Sequence, residues 1–135
     1  MGLLNAQPSK NRLYSEQDKA ILHNLSQLFE QDKIYRTQNL SVSTVADKLN
    51  VNRNHLSSLI NNYYQHNFNE YTNRYRVEEA KEIFKQQIGG SYPDYTIQYI
   101  AETVGFSQRA SFHDAFKKVV GITPSEYKKV IKSMK

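Results

Sequence analysis

The chain has 135 residues, with 18 Lys and Arg against 13 Asp and Glu, and a formal net charge of +5. With 39% apolar residues it can bury the core of one domain of ordinary size, or of two very small ones. It has no cysteine, which removes disulfides, zinc fingers, thiol redox chemistry and a cysteine nucleophile together.

Residues 1–14 are polar, carry Pro8, and read as a flexible lead-in or linker remnant. Ser15 followed by Asp18 marks a helix start, and Ile21, Leu22, Leu25, Leu28 and Phe29 recur on one face. The spacing predicts a helix over about 15–32. Ser41 or Ser43 can cap a short helix that buries Val45, Ala46 and Leu49. Asn52 caps the next one, with Leu56, Leu59, Ile60 and Tyr63 on its apolar stripe and Asn54, Ser57, Ser58 and Asn61 opposite.

Asn67 with Glu70 opens a longer helix, about 68–88, whose inner contacts are Tyr71, Tyr75, Val77, Ala80, Ile83 and Phe84. Arg74, Arg76, Glu78, Glu79, Lys81, Glu82 and Lys85 are read as its solvated face. Residues 89–94 form a loop. Thr96 caps a short helix burying Ile100, Ala101 and Val104, which stops at Gly105. Ser107 is expected to cap a helix that buries Phe112, Ala115, Phe116 and Val119 and closes at Gly121. Thr123, Pro124 and Glu126 then start a last helix with Tyr127, Val130 and Ile131 facing inward.

The pattern repeats. Val45-Ala46-x-x-Leu49-Asn50-Val51 matches Ile100-Ala101-x-x-Val104-Gly105-Phe106 at an offset of 55 residues. After one extra residue in the second copy, Leu56-x-x-Leu59-Ile60 matches Phe112-x-x-Ala115-Phe116 at an offset of 56. Ala46 and Ala101 are small where two helices must cross closely. Gly105 suits the positive φ of a tight turn, and Asn50, the next most tolerant residue, fills its place in the first copy. Val51 and Phe106 plug the angle between the helices. This is the helix-turn-helix arrangement, in which the second helix enters a major groove. A helix of about 21 residues between the copies spans roughly 31 Å, close to the B-DNA turn of about 34–36 Å.

Ile100 to Ser107, then Phe112, Phe116-Lys117-Lys118 and Gly121 to Tyr127 resemble the DNA-binding domain of AraC/XylS-family transcription regulators. Leu56-Ser57-x-Leu59-Ile60-Asn61 and Tyr75 to Lys81 are also similar to that family, and the likeness covers about residues 40–130. The resemblance implies an all-α, homeodomain-like fold of about seven helices. Two helix-turn-helix subdomains, 15–67 and 89–135, are then joined by a linker helix over 68–88. It also implies promoter binding and control of transcription, with activation among the outputs, in the cytoplasm. Gln65 departs from the pattern, standing where Gly121 stands in the second copy, so the first turn is expected to differ. Lys128 stands where Arg is common. Residues 1–40 are too short for the sensor or dimerisation domain such regulators carry, so the chain is expected to be either one of the family's small stand-alone regulators or, as the polar lead-in favours, an excised domain with that partner missing from the N-terminal side.

Carried over, the resemblance assigns base reading to Asn54, Ser57 and Ser58 in the first copy and to Arg109, Ala110, Ser111, His113 and Asp114 in the second. Arg109 suits guanine and Asn54 adenine; Ala110 can meet a thymine methyl, and Asp114 can accept from cytosine or orient Arg109 or Lys117. Phosphates fall to Arg53, Lys117 and Lys118 and to helix starts near Ser43 and Thr96, with Arg74, Arg76, Lys128 and Lys129 as weaker candidates. Charge agrees: residues 103–135 hold seven basic and two acidic side chains, while the rest of the chain is neutral. Double-stranded DNA and RNA polymerase are the expected partners.

An enzyme is not expected. The four histidines are scattered, there is no glycine-rich phosphate loop, and neither a metal nor a cofactor is called for. His55 and His113 can donate to phosphates. Tyr63, Tyr71, Tyr75, Tyr99 and Tyr127 are expected in the core. No apolar run reaches the roughly 18 residues of a membrane helix, and no membrane contact by this segment is expected. Ala6 stands where a myristoylation signal wants Ser or Thr. The competing function is a helical protein-interaction or dimerisation module without DNA binding, acting through the first helix.

Overall fold

The structure is a computed structural model that describes residues 13–90 and 94–134. The expected lead-in lies outside them as far as residue 12, as do 91–93 of the expected loop and the terminal Lys135. Among the described residues there are seven α-helices and no strand: α1 (Glu16–Glu30), α2 (Val42–Leu49), α3 (Arg53–Tyr64), α4 (Phe68–Ile88), α5 (Ile97–Thr103), α6 (Arg109–Val120) and α7 (Pro124–Ser133). A single 3₁₀ turn, Ile34–Arg36, lies between α1 and α2. Among the described residues no helix is long and apolar enough to cross a membrane.

Side-chain oxygens fix most helix starts by accepting amide hydrogens left free in the first turn. Ser15 accepts from the Asp18 amide, and Thr96 from that of Tyr99. Asn52 Oδ1 accepts from both Asn54 and His55, at 2.8 and 3.1 Å. Asn67 with Glu70, and Thr123 with Glu126, close reciprocal capping boxes. The cap of α2 is Ser41, whose hydroxyl accepts from the Thr44 amide at 3.1 Å, and Ser43 sits exposed in the first turn.

Ser107 does not cap α6. The N-cap is Gln108, which makes no side-chain cap bond. The extra residue in the second copy lies between turn and helix, so Gln108 takes the place that Asn52 holds in the first.

The chain divides into two compact units. Among the described residues, the first holds 13–35 and Leu40–Thr72; the second holds Arg36–Asn39, 73–90 and 94–134. In the first unit, α1 buries Leu22, Leu25 and Phe29, α2 buries Val45 and Ala46, and α3 buries Leu56, Leu59, Ile60 and Tyr64. Phe29 lies edge-on to Tyr71 with ring centroids 4.8 Å apart, a contact worth roughly 0.5–1.5 kcal/mol beyond its area. The apolar stripe of α1 is thus largely spent on this core, through Leu22, Leu25 and Phe29, with Ile21 and Leu28 half-buried.

In the second unit, Val77, Ala80 and Phe84 of α4 meet Ile100, Ala101, Val104, Phe106, Phe112, Ala115, Phe116 and Tyr127. An aromatic run ties the helices together: Phe106 to Phe112 at 5.3 Å, Phe112 to Phe116 at 5.6 Å and Phe116 to Tyr127 at 5.4 Å. Tyr99 departs from expectation. It is 49% exposed and lies over Tyr95 at 4.4 Å, on the rim of the core. Tyr71, Tyr75 and Tyr127 are buried, and Tyr63 is half-buried against Tyr64.

Candidate nucleic-acid interface

Each unit contains the same turn, atom for atom in its hydrogen bonds. In the first, Asn50 adopts the left-handed conformation at φ 57°, its amide donates to the Asp47 carbonyl, and the Val51 amide donates to that of Ala46. In the second, Gly105 is left-handed at φ 114°, its amide donates to the Glu102 carbonyl, and the Phe106 amide donates to that of Ala101. Both are Schellman motifs, with an alanine as the distant acceptor and an apolar residue closing the turn. The turn redirects the chain so that α2 lies against α3, and α5 against α6.

The second helix of each pair then has one face committed to the core and one to solvent. On α3, Arg53, Asn54, Ser58 and Asn61 are exposed and Ser57 is half-buried. The Asn54 amide is used by the Asn52 cap, and its carboxamide stands clear on the outer face. Asn61 is turned back on its own helix, donating to the Ser57 carbonyl at 3.1 Å. His55, in the first turn of α3, pairs through Nε2 with Asp18 of α1 at 2.8 Å. That carboxylate comes from 37 residues earlier and has no sequence signal.

On α6, Arg109, Ala110, Ser111, His113, Asp114, Lys117 and Lys118 are all exposed. Arg109 enters no hydrogen bond or ion pair among the described residues. The expected pairing of Asp114 with Arg109 or Lys117 is not what is found: the Asp114 carboxylate lies 3.5 Å from His113 Nδ1. The ridge Arg109, His113, Lys117 follows the i, i+4, i+8 spacing of one helical face. Lys128, on α7, pairs with Asp94 at 3.0 Å, and the lysine holds that carboxyl below its ordinary range. Glu126 is likewise lowered, first by the backbone amide of Thr123 and then by its hydroxyl.

Arg76 is the clearest correction on the charged side. It does not lie on a solvated face. It is 9% exposed, donates to the Thr37 carbonyl at 2.9 Å, and lies over the Phe106 ring at 5.2 Å from the centroid. Burial pushes its guanidinium down to about 10, so it is still charged at neutral pH. It is therefore unsuited to touching phosphate. Glu79, read with Arg76 as part of that solvated face, is bound by Arg36. Gln65 is a second correction. It is left-handed at φ 61° and its amide donates to the Asn61 carbonyl, as the Gly121 amide does to that of Lys117. The turn after α3 is therefore the turn after α6, made without glycine.

Comparison with known proteins agrees with this geometry. A helix-turn-helix domain family model matches residues 45–129. The chain is 30% identical over 114 residues to the uncharacterized HTH-type transcriptional regulator YtdP of Bacillus subtilis, covering 84% of this chain and 13% of that protein. It is 26% identical over 125 residues to the Msm operon regulatory protein of Streptococcus mutans, covering 93% of this chain and 39% of that protein. The chain thus spans well under half the length of these relatives. The C-terminal domain of AraT, a response regulator from Geobacillus stearothermophilus, superposes with a TM-score of 0.67 at 26% identity, over 86% of each chain. With the turn built twice and the family model running through both copies, the chain belongs to the AraC-type helix-turn-helix family of DNA-binding transcription regulators.

Proposed function

We propose that this chain reads double-stranded DNA in the major groove through the outer ridges of α3 and α6. The observation that carries this is the repeated Schellman turn, which in each unit feeds a helix that is apolar within and polar and exposed without. Arg109 reads guanine and Asn54 adenine, both as bidentate donors or donor–acceptors. Ser57, Ser58 and Ser111 contact bases or phosphates with less discrimination; Ala110 meets a thymine methyl, and His113 and Asp114 complete the α6 ridge. Arg53, Lys117 and Lys118, with the first-turn amides near Ser43 and Thr96, hold phosphates. Arg109 and the lysines make the second unit the larger contributor to affinity, and the unlike ridges make the site asymmetric. No enzymatic activity forms part of this proposal. The greater length of the relatives, with the likeness to the C-terminal domain of a response regulator, supports a sensor or dimerisation domain on the N-terminal side as a partner; RNA polymerase is the further partner that control of transcription calls for.

Fluorescence anisotropy with random duplex DNA tests the electrostatic part. Micromolar binding at 50 mM salt is expected, and a set of 6–10 phosphate contacts would weaken it by about 10³–10⁵ at 200 mM. No binding at the lower salt would favour the interaction module instead.

A further inference from the structure

Arg76 is the charged residue that the described core buries, and a buried guanidinium is costly unless its donors and its charge are met. Two of its contacts tie it to the helix-turn-helix turn. The guanidinium lies over Phe106, the residue that closes the α5–α6 turn, and donates to the carbonyl of Thr37. Thr37 belongs to a short strap, Arg36–Asn39, that packs with the second unit. Three successive strap residues are fastened there. Arg36 binds Glu79, one turn along α4 from Arg76; Thr37 accepts from Arg76; and Gln38 Nε2 reaches the carbonyl of Phe106 at 3.5 Å. Phe106 is thus held from within by the Ala101 carbonyl and from outside by Arg76 and the strap.

The first copy of the motif shows why this matters. There α3 is pinned locally, because Asn52 caps two of its amides. The start of α6 has no such pin, since Gln108 makes no side-chain cap bond. Between Phe106 and the start of α6 at Arg109, the Gln108 carbonyl accepts from the Phe112 amide at 3.3 Å, and no side chain caps the helix. A shift at Phe106 would therefore pass directly into the first turn of α6, where the proposed guanine reader stands.

We propose that Arg76, clamped between Phe106 and the strap Arg36–Asn39, is a positioning residue that sets the start of α6 and hence the aim of Arg109. This rests on the DNA-reading function above, but the local part is measurable without DNA. The experiment is amide hydrogen exchange by NMR on the whole chain, comparing Phe106 with Val51, its equivalent in the first copy. Base preference is then selected from a random duplex pool. Arg76→Met keeps the volume and removes the donor and charge, and Arg76→Lys keeps the charge without the flat face.

The expected result is that Arg76→Met speeds exchange at Phe106 at least tenfold relative to Val51, with Arg76→Lys between it and the parent. Preference should relax at the base positions that depend on Arg109 and persist at those that depend on Asn54. A folded Arg76→Met protein with the parent exchange ratio and the parent preference would overturn the proposal. Should Arg76→Met not fold, the exposed pair Arg36→Ala/Gln38→Ala takes its place. Selective acceleration at Phe106 supports the clamp, and equal acceleration at Val51 and Phe106 overturns it. If the parent protein selects no sequence, the DNA-reading function fails, and the exchange ratio alone decides the role of Arg76.

Discussion

At the level of single residues, Arg109 and Asn54 both stand in the first turn of their helices, one position apart in register, but are prepared differently. Asn54 follows a helix start capped by Asn52, so its backbone is fixed before any ligand arrives. Arg109 stands exposed in the first turn of an uncapped helix, with no partner among the described residues to be displaced. A guanidinium of this kind gives up only water and rotamer freedom on binding, and its two parallel donors match guanine O6 and N7. Arg109→Ala should therefore cost about 1–3 kcal/mol on the preferred sequence and relax one base position. Competition anisotropy against a scrambled duplex measures this, and an equal loss on both duplexes would mean that Arg109 touches only phosphate.

At the level of elements, the turns that close α3 and α6 give a paired prediction. Gln65 and Gly121 both sit in the left-handed region, at φ 61° and 97°. For a residue with a Cβ that conformation costs roughly 1–2 kcal/mol. Gly121→Ala meets nothing within 4 Å, so its cost is backbone strain alone and should be about 1 kcal/mol or somewhat more. Gln65→Gly should move the other way, by a few tenths of a kcal/mol up to about 1, because relief of strain is partly offset by the freer unfolded chain. Urea midpoints of the two variants check the signs, and two shifts of the same sign would contradict the equivalence of the turns.

The same elements show what the sequence could and could not convey. Helix starts and stops were legible because they are written in neighbouring residues: Thr123, Pro124 and Glu126 declare a capping box, and Gly105 and Asn50 declare the turns. The outer ridges were legible because an apolar stripe fixes its opposite face. Gln65 was not, since nothing nearby says that a glutamine will accept a left-handed backbone. Ser107 misled because a one-residue insertion moves the cap to Gln108, which has no short side chain to cap with. Arg76 misled because its compensation comes from a carbonyl 39 residues earlier and a ring in the turn between α5 and α6. His55 and Asp18 form the same kind of long-range pair. The legible features were local; the missed ones depend on tertiary contacts.

For the whole molecule, the excess of positive charge lies in residues 103–135, in and around α6 and α7. Part of it is already spent inside the protein, where Lys128 binds Asp94, and Arg109 and Lys117 remain on the exposed ridge of α6. Such a surface draws any polyanion, so salt-dependent binding alone does not separate reading from attraction. The direct test of sequence reading is selection of duplexes from a random pool by the intact chain, at a salt concentration that suppresses non-specific binding. An enriched, asymmetric motif containing a guanine that Arg109→Ala no longer requires is the predicted outcome. A pool that stays random through repeated rounds, while the protein remains folded and still binds DNA at low salt, would contradict it.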